Sequence, residues 1–153
     1  MAGTTTYTMR TFLLILAGIS LVACSEPAPP TGPGRNADPA RITRGAELFR
    51  QHCAVCHGAG AQGGAEWRTR NPDGTFPPPP LNGTGHAWHH PWTALKRTIR
   101  DGTAALGGNM PAWQETLSEE QIEDVILWFQ SLWSDEVYAA WWEIDQRQRR
   151  GDR

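Results

Sequence analysis

Lysine is almost missing from this chain: Lys96 stands alone beside 13 arginines in 153 residues. A docking face ringed by lysines is therefore excluded. The 14 basic side chains are outnumbered by 16 acidic ones, a net charge of −2, which argues against nucleic acid as a partner. Cysteine is scarce as well, with only Cys24, Cys53 and Cys56. No second closely spaced pair exists to complete a structural zinc site of the four-ligand kind. Long apolar runs are lacking; the stretch Phe12–Val22 falls well short of the roughly 20 residues that span a bilayer as a helix. Methionine occurs three times, and Met110 is the only one beyond the first nine residues.

The short apolar run has its own meaning. Arg10 precedes it and Ala23-Cys24-Ser25 follows, the layout of an export signal over residues 1–23, with Met9 as an alternative start. Leu21-Val22-Ala23-Cys24 resembles a bacterial lipobox, in which cleavage before the cysteine leaves Cys24 as a lipidated N-terminus. The alternative is an ordinary signal peptide with Cys24 as a free thiol, awkward in an oxidising compartment. Ser25 in the next position resembles outer-membrane sorting, so the expectation is a periplasm-facing, lipid-anchored protein, with the outer membrane favoured. A mature chain starting at Cys24 loses Arg10 and has 13 basic and 16 acidic side chains, a net of −3.

Residues 24–37 are rich in proline, glycine and small side chains and read as an extended tether. Residues 38–134 are enough for one small domain, and 135–153 form a Trp- and Arg-rich extension. The domain reads as helical. Ile42, Ala46, Phe49 and Cys53 fall on one stripe of a helix over about 39–51, opened by Asp38 as cap and Pro39 at its first position. A second helix is expected over 92–100, with Leu95 and Ile99 on one face and Gly102 ending it. Ser118-x-x-Gln121 is a capping box, and Ile122, Val125, Ile126, Phe129 and Trp133 make the stripe of a third helix. Between Gly58 and Pro91 the Gly- and Pro-rich chain reads as loop wrapped on something.

Cys53-Ala54-Val55-Cys56-His57 says what that something is. C-x-x-C-H is the attachment signature for c-type haem: two thiols add across the porphyrin vinyl groups, and the adjacent imidazole becomes an axial ligand. Half of a zinc site and a thioredoxin-type redox pair compete with it. The first lacks its second pair, and the second belongs in a βαβ context, whereas the residues before Cys53 read as helix. Bacterial haem attachment takes place outside the cytoplasm, so the signal and the motif corroborate each other. Met110, in Gly107-Gly108-Asn109-Met110-Pro111, is the candidate sixth ligand. A thioether opposite an imidazole favours ferrous iron and closes it to exogenous ligands. The competing role for a lone methionine is filling a gap in the core.

From helix through C-x-x-C-H and Met110-Pro111 to a closing amphipathic helix, residues 38–133 resemble a class I cytochrome c. The resemblance implies a small all-α fold, helices and loops wrapped around one covalently bound haem. Gly45, Phe49 and Trp128 stand where that family's first and last helices cross. It also implies a proline carbonyl accepting a hydrogen bond from the His57 ring. Pro79-Pro80-Leu81 points to Pro79, with the run Pro77–Pro80 leaving the register open by one. The insert Glu66–Pro80 and the tail beyond Ser134 depart from the family pattern and inherit no role.

The resemblance implies an electron carrier serving redox proteins as donor and acceptor, with no catalytic residue of its own. A haem peroxidase, or a cytochrome subunit of a dehydrogenase or reductase complex, is the alternative. A third reading uses His86, His89 and His90 to handle copper or zinc, and one of the three is also an alternative to Met110 as a ligand to the iron. Tyr138, Trp141 and Trp142 with Arg147, Arg149 and Arg150 make an amphipathic tail, open to a membrane interface, a partner or the domain itself.

Overall fold

The computed structural model describes residues 1–3 and 32–151; residues 4–23 of the signal segment, Cys24 and the tether up to residue 31 lie outside the described residues. Within them the protein is all-α, with no strand. Helices α1 (Pro39–His52), α2 (Ala54–His57), α3 (Trp92–Asp101), α4 (Glu119–Ser131) and α5 (Asp135–Arg150) are joined by loops that include short 3₁₀ turns at Ala87–His89 and Ala104–Leu106. None of the helices is long and apolar enough to cross a membrane.

The helix boundaries follow local chemistry. Asp38 accepts from the Ala40 N–H at 2.9 Å, ahead of Pro39 at the start of α1. Both halves of the Ser118–Gln121 capping box are formed on α4. α3 buries Leu95 and Ile99 and stops at Gly102, whose φ of +70° suits a residue without a side chain. α4 buries Ile122, Val125, Ile126 and Phe129, with Trp133 just beyond its end.

The buried face of α1 is turned relative to its expected stripe. Gly45 and Leu48 join Phe49 in the interior, while Ile42 and Ala46 are only half-buried. The cause is the crossing with α4. A Cβ at Gly45 would lie 2.0 Å from the Asp124 carbonyl oxygen, so the two backbones touch at this glycine. Phe49 then packs on Trp128, ring centroids 4.3 Å apart. Asp124, fully buried, receives Arg41 Nε at 2.6 Å and Arg44 Nε at 2.5 Å, one on each carboxylate oxygen. Both guanidinium groups keep contact with water, which limits the cost of burying the charge.

The tail is part of the domain's packing. Ser134 caps α5, and Tyr138 and Trp141 have no exposed surface. Trp141 Nε1 donates to the His90 carbonyl at 3.0 Å, and Asp145 accepts from the Trp92 N–H at 2.8 Å. α5 also holds the chain that enters α1. Residues 32–36, tether by composition, form a turn whose Gly34 N–H donates to Tyr138 Oη at 3.0 Å. Arg35 donates to the Trp133 carbonyl and pairs with Asp135. Trp141→Ala is expected to cost about 3–5 kcal/mol, the usual range for truncating a buried aromatic. Urea unfolding of the variant, followed by circular dichroism, measures this; an unchanged midpoint would show α5 to be ornamental.

Candidate functional site

α1 delivers the site. Its last turn ends at Cys53, whose N–H still donates to the Phe49 carbonyl at 2.8 Å. One further helical turn follows, with the Cys56 and His57 amides donating to the Cys53 carbonyl at 3.1 and 2.9 Å. Gly58, at φ +76°, then ends it. Residues three and four apart on a helix share a face, so Cys53, Cys56 and His57 are grouped by this single turn. Both thiols are free and not joined to each other. Cys53 is half-buried, and burial, reinforced by the nearby Cys56, pushes its thiol up to about 11. At neutral pH it is a protonated thiol.

His57 is 8% exposed, and its Nδ1 lies 3.0 Å from the Pro79 carbonyl oxygen. A carbonyl only accepts, so Nδ1 carries the proton and Nε2 keeps its lone pair. Burial lowers the imidazole's pKa and outweighs the Pro79 bond, which raises it. Among the four prolines 77–80, Pro79 is thus the one bonded to the ring. Two contacts set this register: the Gly64 N–H donates to the Pro78 carbonyl and the Leu81 N–H to the Ala61 carbonyl, both at 2.8 Å. Gly63 makes the approach feasible, since a Cβ there would meet Pro80 N at 2.4 Å. Nothing local in the sequence singles out Ala61 or Gly63; both pass for ordinary loop.

Met110 is half-buried in the loop between the Ala104–Leu106 turn and α4, and it packs on the same apolar cluster as Cys53, Ala54 and Leu81. Thr103 clamps this loop from both sides. Its Oγ1 accepts from the Met110 N–H, and its own N–H donates to the Met110 carbonyl, each at 3.0 Å. Sequence reading missed Thr103, whose partner lies seven residues on in irregular chain.

The third reading of the sequence needs correction. His86, His89 and His90 do not converge: His86 stacks on Trp67 and lies edge-on to His90, while His89 stacks on Trp88. The ring faces are engaged with aromatic neighbours, and among the described residues no three His, Cys, Asp or Glu side chains are arranged to hold a metal ion.

The donor set fits haem c. It comprises two unpaired thiols and an imidazole on one turn, the latter with Nδ1 tied and Nε2 open, and a thioether on the same cluster. A sequence model of the family described as cytochrome C oxidase, cbb3-type, subunit III matches residues 40–129. Among curated proteins, a cbb3-type cytochrome c oxidase subunit CcoP from Azospirillum sp. (strain B510) is 29% identical over 99 residues, covering 65% of this chain and 31% of that protein. The chain thus spans about a third of the length of that curated relative. No solved structure matches.

Proposed function

This chain belongs to the family of cytochrome C oxidase, cbb3-type, subunit III, a class I-like c-type cytochrome domain, and on that premise we propose that it carries single electrons to a membrane-bound redox partner. Haem c, once bound, supplies one-electron Fe(III)/Fe(II) chemistry. Cys53 and Cys56 would hold it covalently, and His57 through Nε2 and Met110 through its thioether would bind its iron. Pro79 keeps the proton on Nδ1 and fixes the plane of the His57 ring, the usual job of a group behind a metal-binding histidine. Thr103 holds the Met110 loop in register. One haem is assigned, because the chain has one C-x-x-C-H. No residue is assigned acid–base or nucleophilic chemistry.

The single observation that carries this reading is the Nδ1–Pro79 bond at 3.0 Å, which leaves His57 in the tautomer an iron ligand requires. Met110→Ala tests the part assigned to the thioether. The exported variant is expected to lose the thioether-to-ferric-iron absorption band, to fall in reduction potential and to bind added azide. A spectrum unchanged by the substitution removes Met110 from the iron and returns the histidines to consideration.

The family match and the named relative favour a second reading, a subunit of an oxidase complex in place of a freely diffusing carrier. Co-purification with a catalytic subunit after mild detergent extraction separates the two. In either case we assign Cys24 as the acylated residue and the periplasmic side as the location. Support comes from Leu21-Val22-Ala23-Cys24 and from the need for export before haem attachment; Ser25 favours the outer membrane.

A further inference from the structure

We propose that residues 32–37 form a strap that opens from α4 and α5 while the rest of the fold stays intact, and that the buried amide of Gln130 sets its balance. Gln130 has no exposed surface, and neither its Oε1 nor its Nε2 has a hydrogen-bond partner. Among the described residues it is the only side chain left in that condition. A primary amide in water uses two donors and an acceptor oxygen, and burial that does not replace those bonds is opposed by their loss.

The strap is what covers this amide. A Cβ at Gly34 would lie 2.9 Å from Gln130 Oε1 and 2.8 Å from Tyr138 Cε2, so the strap backbone rests directly on both side chains. Closing the strap therefore takes water from Gln130 and returns no bond to it. Opening the strap hydrates the amide again.

The contacts that favour closure converge on two side chains. The Gly34 and Arg35 N–H groups both donate to Tyr138 Oη, at 3.0 and 3.3 Å. The Arg35 side chain donates to the Trp133 carbonyl at 3.1 Å, pairs with the exposed Asp135 carboxylate and lies over the Tyr138 ring. Gly32 adds close packing against Trp142. The turn's other bonds, from the Arg35 and Asn36 amides to the Gly32 carbonyl, lie within the strap and survive its opening. Asp38 caps α1 through the Ala40 N–H, so α1 keeps its start when the strap leaves. A segment held by one hydroxyl and one guanidinium, over an amide that gains from being uncovered, belongs to the low-stability end of a fold. In the anchored protein proposed above, residues 32–37 then add about 20–22 Å of reach at full extension. The opening itself depends on neither Cys24 nor the haem ligands.

Hydrogen exchange of the haem-loaded protein tests the strap. The Gly34 and Arg35 amides should exchange about a hundred-fold or more faster than those of Val125 and Ile126 in the middle of α4, because local opening is more frequent than global unfolding. Gln130→Met keeps the length of the side chain and removes the amide; it should slow exchange at 34 and 35 several-fold. Tyr138→Phe keeps the ring and removes the shared acceptor; it should speed exchange at 34 and 35 several-fold. Gln130→Leu serves as a second variant should the methionine disturb packing. Exchange at 34 and 35 as slow as at 125 and 126 in the unsubstituted protein overturns the strap, since the segment would then leave only with the whole fold. Strap exchange unchanged in both Gln130 variants, while α4 stays protected, overturns the role of the amide and with it the proposal.

Discussion

Cys53→Ala/Cys56→Ala is expected to abolish covalently held haem: a haem-stained denaturing gel of the exported double variant should show no band. Each single variant should retain one, because one thioether is enough to survive denaturation. The expectation follows from the single turn after α1, which groups both thiols and the His57 imidazole and leaves neither cysteine in a disulfide. The singles should also differ from one another. Cys53 is half-buried against the core cluster, so its truncation removes packing as well as a bond, whereas Cys56 is exposed. Lower urea stability of Cys53→Ala than of Cys56→Ala would register that difference. A haem-stained band in the double variant would show attachment by other residues and undo the assignment of the motif.

Gly45→Leu is expected to prevent folding altogether. The position of a Cβ at residue 45 is 2.0 Å from the Asp124 carbonyl oxygen and 2.6 Å from its carbon, both backbone atoms that cannot swing aside. α1 and α4 would have to separate. With them would go the Phe49–Trp128 contact, and Arg41 and Arg44 would leave the buried Asp124 carboxylate unpaired. Overpacking by a few methylenes costs about 1–3 kcal/mol where neighbours can yield; stranding a buried charge adds about 3–5 kcal/mol. Together they approach the 5–15 kcal/mol of a typical domain's whole stability. Gly45→Ala should fold with a much lower urea midpoint. Gly60→Ala, whose Cβ would meet only the flexible Gln62 side chain at 3.2 Å, should scarcely move it. A normal midpoint for Gly45→Leu would refute the close crossing.

These two positions differ in how they can be read. Cys53, Cys56 and His57 announce themselves, since their spacing is the chemistry: one turn of helix is enough to group them. The Ser118–Gln121 box and the Gly102 stop are equally local, and both are formed as expected. Gly45 carried a resemblance to a crossing point but no local sign of which face it would turn inward. The observed rotation of α1 came from α4, whose Asp124 lies 83 residues from Arg41.

The same boundary runs through the site. Sequence alone determined the donor types, their grouping on a helical turn, the lone downstream methionine and the all-α character, because each depends on residues within a turn or two of one another. Tertiary structure decided that Pro79, among four consecutive prolines, bonds to His57, since that register is set by backbone contacts to Ala61 and Gly64. It also decided that His86 and His89 stack on separate tryptophans, and that α5 folds back to grip the chain at Gly32 and Gly34. Each of these is a pairing between distant segments. Local pattern states what a residue can do, and only the closing of long loops selects which partner it meets.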